Sequence, residues 1–342
     1  MIHFVCDRYS CSCKITSILP LLFLTLLFSI SCERQNNVAG PRESITIAYT
    51  TAPNAFLVDI AFAKGYFGED GLDVKPQPHA LGKLALASVL GGMADLATTA
   101  DTPIVLAVMN DKPITTIAAV QTSNKDIAIV ALKSRGIASP ADLKGKKIGV
   151  TLGTSVEFFV DAYLAAHDIQ KEAVNIIDMK PDEMAEALAT EKVDAVSTFA
   201  PTLTSLEKVL GDSGTFLYDE SIFTESFCVV SMQRYAKQHP EAIKKFLKAL
   251  IKAETLIKQN PEEAQLQVAH FLKVDKAMIA QIWPAFIARV TLDQALLVDL
   301  EDQTRWAAKK GLSARKDMPN YLDFIYTDGL LAVKPEAVTI LH

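Results

Sequence analysis

The chain has 342 residues, half of them hydrophobic, and a formal net charge of -6. That is enough apolar sequence for two lobes with separate cores. Charges of both signs are interspersed, without the clustered basic face that a nucleic-acid surface requires, so nucleic acid is excluded as a partner.

In chain order, the first feature is an uncharged apolar run over residues 15–31, preceded by Arg8 and Lys14 and followed by Cys32. A membrane-spanning helix needs about 20 apolar residues; this run is shorter and suits the core of a signal peptide over residues 1–31. Its end, Leu26-Leu27-Phe28-Ser29-Ile30-Ser31-Cys32, resembles a bacterial lipobox, with Ser29 where that pattern usually has Leu. The resemblance implies that Cys32 carries lipid and becomes the mature N-terminus. Polar residues 32–44 read as a flexible tether. Removal of the leader takes Cys6, Cys11 and Cys13 with it. Only Cys228 then remains beyond Cys32, so no intramolecular disulfide is expected.

Strand and helix patterns alternate from there. Strands are expected at 45–49, 72–74, 94–97 and 114–120, and helices at 55–64, 81–90 and 102–110. Gly65 and Gly91-Gly92 stop the first two helices. Such repeated βαβ units imply a parallel sheet covered by helices. A second series has strands at 126–131, 147–150, 175–178 and 194–197, and helices at 155–167 and 181–190. Ser139-Pro140-Ala141-Asp142-Leu143 looks like a capped helix start. The last third reads as helical. His239-Pro240 opens a helix with an apolar stripe through Ile243, Phe246, Leu247, Leu250, Ile251 and Leu256, and Asn260-Pro261 opens the next. Trp283, Trp306 and Tyr321 are expected to pack the core or the lobes rather than stack on a ligand.

The usual signatures of catalysis are missing. There is no phosphate loop, no paired-histidine zinc helix and no Gly-x-Ser-x-Gly elbow; the six histidines are scattered. No metal or cofactor is expected, and the chain is read as a non-enzyme.

Four segments, in order, carry a family resemblance. Residues 61–74 (AFAKGYFGEDGLDV) resemble the "A-x-x-x-G-(Y/F)-F-x-x-x-G-L-x-V" run of type 2 periplasmic binding proteins. The subgroup is the one with nitrate, taurine, alkanesulfonate and thiamine-pyrimidine receptors. Residues 92–97 (GMADLA) are similar to that family's "G-x-x-D-x-A" strand, and 139–150 to its "spaDLkGKkigv" segment. Residues 192–195 (KVDA) are similar to its "G-x-v-D-A" strand, with Lys192 where Gly is common. The resemblance implies an α/β fold of two discontinuous, doubly wound lobes joined by two crossover strands, with a C-terminal helical extension. Lobe one would combine 45–123 with 229–342, and lobe two would be 124–228.

In open α/β sheets, ligands bind outside the carboxyl ends of strands. Loops 50–54, 98–102, 151–155 and 198–201 lie there and are rich in small polar groups, and three of them run into helix starts that offer free N–H groups. The expected ligand contacts are Thr51, Asn54, Thr99, Asp101 and Thr102 from one lobe and Gly153, Thr154, Ser155 and Phe199 from the other, with Glu225 beside the second crossing. With no Lys or Arg in the four loops and with Asp101 and Glu157 near, a zwitterionic, neutral or cationic ligand is favoured over a fully charged anion. The implied function is a monomeric, exported lipoprotein at the periplasmic face of a bacterial membrane. It would capture a small polar molecule of the sulfonate, taurine, nitrate or thiamine-precursor pyrimidine class and deliver it to the transmembrane subunits of an ABC permease. Two other readings stand beside it: a thiamine-pyrimidine synthase-like enzyme of the same fold, and a periplasmic sensory module.

Overall fold

A computed structural model of the chain describes residues 43–313 and 315–341. The expected signal peptide, the lipidated Cys32 and most of the tether lie outside the described residues.

The first part of the chain runs β1 (Glu43–Thr50), α1 (Phe56–Ala63), α2 (Tyr66–Glu69), β2 (Leu72–His79), α3 (Gly82–Leu90), β3 (Leu96–Ala100), α4 (Asp101–Met109) and β4 (Ile114–Ser123). The middle runs β5 (Ile127–Leu132), β6 (Lys147–Val150), α5 (Ser155–Ala166), β7 (Asn175–Asp178), α6 (Met184–Ala189), β8 (Ala195–Phe199), α7 (Thr202–Leu210) and β9 (Gly214–Leu217). Then come β10 (Glu225–Met232), α8 (Gln233–Gln238), α9 (Pro240–Gln259), α10 (Pro261–Leu272), α11 (Lys276–Ile282), β11 (Phe286–Thr291), α12 (Gln294–Lys310) and α13 (Thr327–Val333).

The strands form two sheets. One has the order β11-β4-β10-β3-β1-β2, the other β7-β6-β8-β5-β9. Neither is wholly parallel, contrary to the expectation. The strand β10, returning from the second sheet, is inserted antiparallel between β3 and β4; β5 likewise runs antiparallel to β8 and β9. The chain leaves the first sheet after Ser123 and re-enters it at Glu225, which pairs directly with Ser123. The boundary expected at Val229 therefore falls inside β10.

Local chemistry explains most elements. Nearly every residue of β4 is buried, as a central strand demands. The strand β2 continues through Pro76 and Pro78, which donate no ladder bond; it lies at the sheet edge, where that is tolerated. Asn260 caps α10 by accepting from the Glu263 N–H at 3.2 Å, with Pro261 at the first helical position. The expected start at Ser139 is a single 3₁₀ turn, Pro140–Leu143, closed by a Ser139–Asp142 capping box.

One core joins the six-stranded sheet to α1–α4 and the C-terminal helices. In it the α9 stripe of Ile243, Phe246, Leu247 and Leu250 is fully buried. The second sheet is packed on both faces, with Phe159, Val160, Tyr163 and Leu164 of α5 on one side and Met184, Leu188, Leu203 and Leu206 of α6 and α7 on the other. Trp283 stacks on Phe56 at 4.6 Å, and Tyr321 is buried beside Thr304, so both are packing residues as expected.

Candidate ligand site between the two sheets

The two sheets meet where two helices begin. In the first sheet α4 starts at Asp101, directly off the carboxyl end of β3; in the second, α5 starts at Ser155 after the turn that follows β6. Between them lies a small cavity of about 40 Å³. Asn54, Leu81, Gly82, Lys83, Ala100, Pro103, Glu225 and Phe227 line it from the first sheet and its helices, and Thr154, Ser155, Val156 and Phe199 from the second.

Half of the ten expected contacts are in that lining: Asn54, Thr154, Ser155, Phe199 and Glu225. The side chain of Asn54 accepts from the Thr50 hydroxyl, and the Thr154 hydroxyl donates to the Thr151 carbonyl at 2.7 Å. The others stand beside or behind the wall. Thr51 is exposed, its N–H and hydroxyl both turned to the His79 carbonyl at the end of β2. Thr99 is buried, and its hydroxyl has no partner among the described residues. The Thr102 hydroxyl donates to Gln303 of α12. Gly153 has a φ of +70°, which favours glycine, and its N–H donates to Glu157 at 2.6 Å.

Asp101 proves to be a brace rather than an open contact. It is fully buried; one oxygen accepts from the Thr102 N–H at 2.7 Å and from the Ser155 hydroxyl at 3.4 Å, the other from the Ser226 N–H at 2.8 Å. Burial pushes its carboxyl up to about 7, against the hydrogen bonds from Ser226, Thr102 and Ser155. Asp101 thus joins β10 and α5 to the start of α4. Glu157 is not solvent-facing either: it is buried and paired with Lys310 of α12 at 2.5 Å.

Two acids mark the chain crossings. Asp126 precedes β5 and Glu225 opens β10, and both are nearly buried. Their carboxyl groups face each other within hydrogen-bond reach. Burial pushes both up, Glu225 further because Asp126 and Asp101 also face it.

Lys83 was not foreseen. From the first turn of α3 its Nζ donates at 2.6 Å to the Leu152 carbonyl, in the turn between β6 and α5. It is the one cation in the cavity lining among the described residues. The expectation of a site without Lys or Arg considered only the four loops, and α3 lies outside them. Gly82 was also missed: a Cβ there would lie 3.0 Å from the Thr99 Cα and Oγ1, so the close approach of α3 to β3 excludes a side chain. Among the described residues no cluster of His, Cys, Asp and Glu is suited to a metal ion. No described helix is long and apolar enough to cross a membrane.

A family model described as "NMT1/THI5 like" matches residues 53–264. The chain is 27% identical over 259 residues to the formylaminopyrimidine-binding protein of Halalkalibacterium halodurans, covering 71% of this chain and 75% of that protein. It is 25% identical over 233 residues to the taurine-binding periplasmic protein of Escherichia coli, covering 64% and 68%. Its fold matches the crystal structure of the periplasmic aliphatic sulphonate binding protein of Escherichia coli with a TM-score of 0.71 at 16% identity, over 84% of this chain and 98% of that one. The fold is accordingly that of the periplasmic binding proteins.

Proposed function

We propose that this chain, which belongs to the NMT1/THI5-like family, is the solute-binding component of an ABC importer: it holds a small polar molecule between its two sheets and passes it to the permease subunits in the membrane. The observation that carries this reading is the cavity lined from both sheets, at the starts of α4 and α5. A helix start offers unpaired N–H groups and a partial positive charge to a polar head. The two sheets act as lobes, with residues 124–126 and 218–224 as the crossings. The named ligands of similar proteins, taurine and formylaminopyrimidine, support a small polar molecule of the sulfonate, taurine, nitrate or thiamine-precursor pyrimidine class. Export and a lipid anchor on Cys32 belong to the same reading, which the apolar run before that residue supports.

No catalytic role is assigned. Cys228 is fully buried in β10 and burial raises its thiol well above the usual range, so it offers no thiolate nucleophile. The test is a thermal-shift panel of sulfonates, nitrate, pyrimidines and amines on the purified protein. A true ligand at 100 times its dissociation constant adds roughly 2.7 kcal/mol of stability. No response across the panel removes solute capture from this reading, and native protein recovered without lipid removes the anchor.

A further inference from the structure

The cavity has an acidic floor that the family-level reading does not use. Glu225 lines the cavity, is 5% exposed and opens the strand by which the chain re-enters the first sheet. Asp126, at the other crossing, faces it from the start of β5, Asp101 from α4, and the Ser155 hydroxyl from α5. From α3 Lys83, the only cation of the lining among the described residues, is engaged by the Leu152 carbonyl at 2.6 Å. The oxygens of Asp101 are spent on Thr102, Ser155 and Ser226. Among the charged groups at the cavity, that leaves the Glu225–Asp126 pair as the one whose partner a ligand can change. We infer that Glu225 is the specificity-determining residue of the cleft, and that the solute it selects carries a cationic nitrogen, which sits on the Glu225 carboxylate. This rests on the proposed solute-binding function and narrows its ligand class.

The physical argument is charge balance. Two buried carboxyl groups in contact cannot both ionise without a counter-charge, so the free pair holds one proton. A bound ammonium supplies the counter-charge; the proton leaves to solvent as the nitrogen enters, and the net charge is conserved. A sulfonate or nitrate without a nitrogen cation brings a second negative charge toward the same acids and gains nothing from them.

The experiment compares taurine, ethanolamine and a 4-aminopyrimidine with ethanesulfonate and nitrate, by thermal shift and then calorimetry on the exported protein. Stabilisation is expected from a probe whose nitrogen is protonated, taurine or ethanolamine first, and from neither anion. Glu225→Gln should weaken the bound probe at least tenfold, about 1.4 kcal/mol. Asp126→Asn, a second variant that keeps the shape, should abolish the release of about one proton per ammonium bound, read from binding heats in buffers of different ionisation enthalpy. Circular dichroism checks the fold of both. Stabilisation by ethanesulfonate or nitrate alone overturns the inference while leaving solute binding intact, as does unchanged affinity in folded Glu225→Gln. No stabilisation by any of the five overturns the function and the inference together.

Discussion

Asp59 is fully buried in α1, and neither of its carboxylate oxygens has a hydrogen-bond partner among the described residues. Burial alone drives its carboxyl well above the usual range, because an unpaired charge there would cost far more than the proton. The folded state therefore binds a proton that the unfolded chain releases above about pH 4. The sign follows: Asp59 contributes its full stability below that pH and loses it as pH rises toward the folded-state value. Asp59→Leu should raise stability at pH 7 by about 1–3 kcal/mol, since it removes an unsatisfied buried polar group. It should also flatten the decline between pH 4 and pH 7 relative to wild type. Urea unfolding at several pH values checks this; a variant less stable than wild type at pH 7 would refute it. Nothing in the sequence distinguishes Asp59 from an ordinary exposed acid in a helix, because its fate depends on which face of α1 meets the core. The same limit hid Lys83. Its neighbours in sequence are Gly82 and Leu84, whereas its partner, Leu152, lies in the turn between β6 and α5. By contrast, Thr154 and Ser155 were legible because a polar turn between a strand and a helix start has few places to go.

Among the elements, α12 ties the two sheets together away from the cavity. Its Trp306 packs edge-on against Phe158 of α5 at 5.3 Å, and the indole N–H donates to Asp161 at 2.8 Å. One turn on, Lys310 reaches both Asp161 at 2.7 Å and Glu157 at 2.5 Å, with all three side chains largely buried. Burial opposes the Lys310 charge, but the two acids outweigh it and raise its pKa. A buried ion group of this kind is costly to break from one side, because the remaining charges lose their partner. Lys310→Met should cost about 3 kcal/mol, and adding Glu157→Gln and Asp161→Asn should restore more than half of that; Lys171, 3.7 Å from Asp161, softens the first loss. Denaturant midpoints with unchanged slopes measure it, and a single variant as stable as wild type sinks the argument. A helical last third with Trp306 packing the core or the lobes was expected, but no helix was placed over 294–310 and the Lys310 ion group was not foreseen, since its residues look like a solvated charged face. The short strands β9 and β11 were missed for a related reason. At 4 and 6 residues they carry too little alternation to stand out, and pairing with β5 and β4 defines them.

At the scale of the whole molecule, the order of βαβ units made an α/β fold of two sheets readable, but not the strand that returns antiparallel through the first of them. That strand matters for motion. Both crossings, 124–126 and 218–224, leave or join sheet edges of the site at the acids Asp126 and Glu225. Across the cleft at the cavity itself, the direct polar ties are Lys83 to the Leu152 carbonyl and Ser155 to Asp101, and the Lys310 group of α12 spans it farther away. The cavity of about 40 Å³ has room for a few water molecules. On the proposed function, an organic solute larger than this enters with the sheets parted and is enclosed afterwards. Ties of this kind are each worth about 1 kcal/mol, so those at the cavity alone do not hold the cleft shut. A ligand shifts that balance only by the contacts it makes in the closed form and lacks in the open one. Solution scattering should accordingly show a smaller radius of gyration with the solute identified by thermal shift at saturation than without it. Lys83→Met should enlarge the free protein's mean radius by removing one tie. An envelope that stays the same through a saturating titration, in wild type and in Lys83→Met alike, would mean that the two sheets form a rigid body, and that solute enters by another route.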